Sequence, residues 1–211
     1  MHFVDRLIAS FPPALQPPEE LVRYFRWIAS QEPVNDRNYS LIDPSQTSSE
    51  VSLELADRWS DITADRLAPF CRTGGDGSVA ALWRDEEGEL RFVHLGSGSG
   101  SIMVGVLANN AVDFLRLLAI GYQELCWPDH LPLTPMEAFI HENGEPDEWD
   151  DDAEPPVVPL ALQQWLQQEF DADIPLTAAE LTGVLPSYDK AGASDPFYQW
   201  IAKVENWHEE K

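Results

Sequence analysis

The stretch Phe70 to Tyr122, FCRTGGDGSVAALWRDEEGELRFVHLGSGSGSIMVGVLANNAVDFLRLLAIGY, decides the fold, because it reads as three strands, two tight turns and a helix without interruption. Ser78 to Trp83 and Leu90 to Leu95 are strand-like runs flanking Asp85-Glu86-Glu87-Gly88-Glu89, where Gly88 can supply the positive φ of a hairpin turn. Leu90, Phe92 and His94 alternate with Arg91, Val93 and Leu95, so apolar groups fall on both faces. That pattern predicts a central strand covered on both sides. Gly96 to Ser101 interrupts the sheet, Ile102 to Leu107 resumes it, and Asn109-Asn110 caps a helix with Val112, Leu115, Leu118 and Ala119 at helical spacing.

Working outward toward the N-terminus, Phe3, Leu7, Ile8 and Phe11 predict a short amphipathic helix stopped by Pro12-Pro13. A second helix starts at Pro17-Pro18-Glu19-Glu20 and carries the stripe Leu21, Phe25, Ile28 and Ala29, with Arg23, Arg26 and Trp27 off that stripe. Val34 to Ser49 reads as a loop, and Val51, Leu53 and Leu55 alternate as a strand. Asp61 to Leu67 could be a short helix leading into the hairpin. Toward the C-terminus, Pro159 opens a helix with Leu162, Leu166 and Phe170 inward, and Thr177 caps another beginning Ala178-Ala179-Glu180. A last helix, Asp195 to Trp207, stacks Phe197, Trp200, Ile201 and Val204. The expected architecture is one α+β domain over residues 1–211, with a core at about 51–122, an acidic loop at 137–159 and a helical part at 160–207. Its sheet is mainly antiparallel and flanked by helices.

Charge is distributed unevenly. The chain has a formal net charge of -24, and between Arg116 and Lys190 there is not one Lys or Arg. Acids accumulate there as Glu137, Glu142, Glu145, Asp147, Glu148, Asp150, Asp151, Asp152 and Glu154, among Pro146, Pro155, Pro156 and Pro159. Such a block repels itself and stays solvated as an extended loop, and its plainest role is solubility. Its sharper role is an anionic surface for a basic protein partner, contacted by Asp147, Glu148, Asp150, Asp151 and Asp152, with Trp149 as an apolar anchor. The block lacks the alternating ligands and central Gly of a calcium loop. Nucleic acid is disfavoured as a partner, since phosphates require Lys and Arg clusters. No run of eighteen apolar residues predicts a membrane span, and Met1 to Arg6 has no signal-peptide pattern, so a cytoplasmic location is expected. Cys71 and Cys126 lack metal-ligand spacing and are expected to be reduced thiols.

No catalytic set is legible, and neither a metal nor a cofactor is expected. Gly96-Ser97-Gly98-Ser99-Gly100-Ser101 resembles a phosphate-cradling loop, yet no Lys follows it and it leads into a strand rather than a helix N-terminus. His94, His130, His141 and His208 are scattered, with no His-x-x-x-His pair for zinc. Ser78 lacks a Gly-x-Ser-x-Gly nucleophile turn.

The segments GGDGSVAALW, FVHLGSGSGS and VLANNAVDFLRLLAIGY together resemble the core of the SUKH superfamily, the Smi/Knr-like and Syd-like fold. The matching features are Asp76-Gly77-Ser78 before a strand ending in Trp83, Leu95-Gly96-Ser97 before the next strand, and Phe114, Leu115, Leu117, Leu118 and Ala119 followed by Gly121. The resemblance covers Leu53 to Tyr122 and, more loosely, Leu162 to Trp207 through Trp165, Leu166 and Phe170. It departs at the N-terminus and at Gly98 and Ser99, where related proteins often carry an acidic residue. The resemblance implies an intracellular binding protein, of the kind that neutralises polymorphic toxins of neighbouring bacteria, including nucleases, and the missing metal and nucleophile constellations predict no enzymatic activity. The loops at Asp76 and Gly98 then become further candidate contacts. The alternatives are a regulatory or scaffolding module without a toxin, and a small-molecule-binding or enzymatic domain using Gly96 to Ser101.

Overall fold

The computed structural model describes residues 2–31, 40–42, 65–98, 101–125, 127–149, 153–183, 185–186 and 193–204. Four strands, β1 (Leu67–Arg72), β2 (Val79–Arg84), β3 (Leu90–Leu95) and β4 (Val104–Ala108), pair antiparallel in the order β1-β2-β3-β4. Among the described residues six α-helices accompany them: α1 (Phe3–Ser10), α2 (Glu19–Ser30), α3 (Ala111–Ile120), α4 (Pro135–Asn143), α5 (Leu160–Phe170) and α6 (Pro196–Val204). The chain is a single α+β domain with a four-strand meander at its centre.

The alternation in β2 and β3 places these two strands inside, and both faces of the sheet are covered. On one face Leu82, Phe92 and Phe70 meet Leu7 of α1, Phe25 of α2, Phe114 of α3 and Leu166 of α5 in one core. Phe70 is its centre, with Phe11, Phe25, Phe92 and Phe114 rings at 6.1, 5.9, 6.1 and 5.5 Å. On the other face Ala81, Trp83, Val93 and Leu95 meet Phe197, Trp200 and Ile201 of α6. Trp83 lies edge-on to Phe197 at 5.2 Å, which makes it a core residue of this second layer.

Two irregularities shape the edges. β1 shifts register between Pro69 and Cys71, which suits a proline that cannot donate to a ladder and turns Phe70 and Cys71 toward the same core. β4 shifts opposite Phe92 and Val93, so Leu107 and Ala108 both face α3. Neither edge is left open along its length. Ser40 to Ile42 bonds to the outer side of β1 through Ile42 N to Phe70 O and Arg72 N to Ser40 O, both 2.9 Å. Outside β4, Val104 N donates to Pro186 O at 3.0 Å and Val106 N to the Asp195 carboxylate at 3.0 Å.

Several expectations need correction. The quoted stretch contains parts of four strands, because Leu67–Arg72 pairs with β2 and the chain is extended from Leu67 onward. The acidic loop expected at 137–159 begins inside α4, whose Thr134-Pro135-Met136-Glu137 start is a capping box with proline in the first turn. The turn capped by Thr177 is only a three-residue 3-10 turn, Ala178–Glu180. Trp27, placed off the apolar stripe of α2, stacks on Trp165 of α5 at 5.1 Å and joins those two helices. The strand expected at Val51 to Leu55 and the end of the last helix beyond Val204 lie outside the described residues.

Helix α3 ends at Gly121, whose φ of 96° suits a left-handed cap, and a Cβ there would sit 2.7 Å from Pro159. The close approach lets Pro159 lead α5 back against α3, where Gln163 donates to Ala119 O at 2.8 Å. Leu118 is buried on this helix. Leu118→Ala is expected to lower stability by about 2 to 5 kcal/mol in urea denaturation, the usual range for a buried leucine cavity. Met136→Ala, at an exposed position, serves as the control and should leave the midpoint in place.

Candidate functional site

The loops singled out by the sequence meet at one end of the meander. Asp76 sits in the β1-β2 turn and Ser97 to Ser101 in the β3-β4 connection. The Asp76 carboxylate accepts from Ser78 N at 2.9 Å, Ser78 Oγ at 2.7 Å, Ser97 Oγ at 2.9 Å and Ser101 N at 2.7 Å. Gly96 must be glycine because a Cβ there would lie 2.5 Å from Ser101 O. The glycine-serine loop therefore does cradle an anion, namely the chain's own Asp76. Partial burial alone would raise the Asp76 pKa, but the four donors outweigh it and hold the group at about 2. Gly98, at the loop tip, is exposed and its N–H donates to Ser101 O at 2.8 Å.

Beside this clip lies His94, wholly enclosed in the core face of β3. Its Nδ1 is 3.0 Å from Met103 O, and a carbonyl can only accept, so Nδ1 carries the proton. Nε2 then accepts from Thr73 Oγ1 at 2.9 Å. Burial dominates and drives the pKa down to about 4, against the opposing pull of the Met103 carbonyl and the Asp76 charge. A buried neutral imidazole with both nitrogens engaged is placed to hold a sheet together.

The clip continues toward the acidic segment. Gly75 N donates to Glu124 Oε1 at 2.9 Å, Leu125 N to Thr73 O at 3.1 Å, and the Gln123 amide to Glu154 O. Within that segment Asp147 and Glu148 are exposed, while Asp150, Asp151 and Asp152 lie outside the described residues. Trp149 is half-buried. Its ring lies edge-on to Phe139 of α4 at 5.1 Å, and Nε1 donates to Gly144 O at 2.8 Å. It folds the start of the acidic segment back on α4, so its first task is internal.

A feature absent from the sequence reading stands on the same half of the molecule. A groove of about 400 Å³ runs between the N-terminus of α4 and the segment around Pro175, walled by Met136, Val158, Ile174 and Leu176. Met136, Val158 and Leu176 are 42%, 53% and 74% exposed, and Val157 and Leu160 beside them are exposed as well. Tyr122 ties the two walls: its hydroxyl donates to Leu133 O and accepts from Ala178 N at 2.9 Å. Burial, with the nearby Glu137 and Glu180 carboxylates adding to it, raises the Tyr122 pKa and keeps the phenol protonated. Glu180 in turn accepts from Leu176 N and Thr177 N at 2.9 and 3.1 Å. Because Met136, Val158 and Leu176 come from three separate segments, no periodicity in the sequence marks the groove. The signal that was available is the count of large apolar residues among prolines: Val157, Val158, Leu160 and Leu176 beside Pro155, Pro156, Pro159 and Pro175.

No family model, curated protein or solved structure matches this chain. Among the described residues no helix is long and apolar enough to cross a membrane.

The polar clip sets a pH dependence with a definite sign. An unfolded imidazole titrates near 6.5 and folded His94 near 4, so between these values the unfolded chain binds a proton that the folded chain does not. Stability should thus fall by about 2 kcal/mol between pH 7 and pH 5 through this group alone. Asp76 acts in a lower window: its depressed pKa stabilises fully above about pH 4, and that contribution is lost as pH falls toward 2. Urea midpoints of the native protein and His94→Gln should converge as pH is lowered from 7 to 5, because glutamine keeps a donor and an acceptor without titrating. Parallel curves would mean that His94 does not govern this window.

Proposed function

We propose that this protein is a cytoplasmic protein-binding module that captures a basic partner, in the manner of the immunity proteins of the SUKH superfamily that its core segments resemble. The carrying observation is the apolar groove at Met136, Val158 and Leu176, set in a stretch with no Lys or Arg between Arg116 and Lys190. Apolar surface exposed on three segments at once costs solvation and gains most when a partner covers it. The surrounding carboxylates select a cationic partner and repel nucleic acid. A secreted nuclease domain has such a surface, because its substrate cleft is built to hold phosphates.

The engaged state of Asp76 and His94 supports a binding role over a catalytic one for the loop end of the sheet. Asp76 accepts four hydrogen bonds from within the chain, two of them from Ser97 Oγ and Ser101 N of the glycine-serine loop. Within the acidic segment, Asp147 and Glu148 remain solvent-facing and supply long-range attraction, whereas Trp149 keeps the segment folded onto Phe139.

Affinity capture with the native protein, paired with Leu176→Lys and Val158→Lys variants, tests the proposal. The captured partner should be basic, should arrest growth when expressed alone, and should be neutralised by co-expression of the native protein and not of the lysine variants. Capture undiminished by both lysines would move the interface away from the groove, and a harmless partner would favour the regulatory reading. Once the partner is in hand, Asp147→Asn with Glu148→Gln should slow association and flatten its salt dependence while leaving dissociation nearly unchanged. Stopped-flow association at low and high salt reads this directly.

A further inference from the structure

His130 and His141 stand far apart in sequence, and the fold closes the distance. The 3-10 turn Pro128–His130 and the last turn of α4 bring the two imidazoles edge to face, 5.4 Å between centroids at 78°. One ligand atom each from Asp129, His130 and His141 lies within 4.8 Å of the other two. His130 is buried, whereas Asp129 and His141 are exposed. Glu142 Oε1 stands 3.8 Å from His130 Nε2. The turn that carries His130 is fixed by its backbone: Leu133 N donates to His130 O at 3.0 Å, and Leu131 O accepts from Ala179 N at 2.8 Å.

We propose that Asp129, His130 and His141 form a binding site for a divalent transition-metal ion of the zinc class. An edge-to-face imidazole pair also forms without a metal, but here a carboxylate converges on the same point and a second one flanks it. Two imidazoles with one carboxylate suit zinc, which accepts nitrogen and oxygen donors at roughly 2.0–2.2 Å. Calcium and magnesium prefer all-oxygen shells, and among the described residues no thiolate joins this donor set to select a soft ion. Contraction of the donor set onto an ion requires rotation of the exposed Asp129 and His141 side chains, with buried His130 as the fixed ligand. The fourth position falls to Glu142 or to water. Bound metal would join the Pro128–His130 turn to the end of α4, whose beginning walls the groove at Met136. The site stands on its own geometry, independent of the binding reading above.

Zinc chloride titrated into the metal-free full-length chain by calorimetry, with millimolar magnesium present to occupy unspecific carboxylates, tests the site. One zinc per chain is expected, with a thermal midpoint that rises with zinc and is unmoved by magnesium or calcium. His141→Gln and Asp129→Asn alter exposed side chains, so their metal-free midpoints should match the native protein while zinc affinity drops about tenfold or more. Cobalt(II) gives a second readout, a visible ligand-field band that should disappear in His141→Gln. Zinc affinity unchanged in His141→Gln, affinity lost instead in His2→Gln or His208→Gln, or an equal midpoint shift with magnesium would each overturn the assignment.

Discussion

The structure depends on one constraint: β2 and β3 are buried on both faces, so the meander is stable only when both helical layers are in place. Ala80, Ala81, Leu82 and Trp83 follow one another without a single exposed side chain. Alternate members point to opposite cores, and loss of either layer would expose a row of aliphatic groups to water. The small residues matter as much as the large ones. Ala80 and Ala81 leave room for Phe92 and Phe114 to stack at 4.7 Å on one side and for Phe197 and Trp200 to close on Trp83 on the other. The first layer is assembled from helices before and after the sheet in sequence, and the second comes from α6 near the chain's end. This gives the fold a high share of non-local contacts, and a corresponding need for features that fix the meander's own geometry.

The clip around Asp76 and His94 is such a feature. A four-strand meander can slip in register, and a slip by one residue would exchange its two faces. Asp76 accepts from the β1-β2 turn and from the β3-β4 connection at once, while His94 joins Thr73 at the end of β1 to Met103 at the start of β4. Both connections are thereby locked to one register through charged and buried hydrogen bonds, which are stronger than neutral exposed ones and costly to leave unmade. The motifs Asp-Gly-Ser and Leu-Gly-Ser carry information about fold because they are the two halves of this single contact.

That contact also explains what was legible in the sequence. The alternation of Leu90 to Leu95 and the capping pattern at Asn110 are local, each dictated by a few neighbouring residues, and the structure follows them closely: β3 is Leu90–Leu95 and α3 starts at Ala111. The proximity of the two Gly-Ser motifs could be inferred from the hairpin pairing of β2 and β3, which sets Val79 against Leu95. Composition hides helix α4, because Glu137 and Glu142 belong to the same acid-rich run as the residues after them, although Thr134 and Glu137 mark its start and Gly144 its end. The groove had no periodic signal, only large apolar residues set among prolines, and the His130-His141 pair had no local signal at all. Each arises when the chain after Tyr122 turns back on itself, and Tyr122 looks in sequence like one more apolar residue after a helix.

The placement of the few cations sharpens the meaning of the acidic excess. Arg23 of α2 reaches Glu169 of α5 at 2.8 Å, Arg116 of α3 reaches Asp173 O at 2.6 Å, and Arg91 of β3 binds Asp85 at 2.6 Å. Arg23 and Arg116 thus lie at seams where the N-terminal half meets the acid-rich half, and Arg91 closes the β2-β3 hairpin. The exposed Arg23–Glu169 pair stabilises by little, and a chain selected for stability alone would spread more such pairs across the segment from Tyr122 to Glu180. That segment carries no Lys or Arg of its own, so its carboxylates repel one another at a cost to the free chain. The same field would accelerate the encounter with a cationic partner of the kind proposed above, so its cost to the free chain and its use to a binding module have one electrostatic origin.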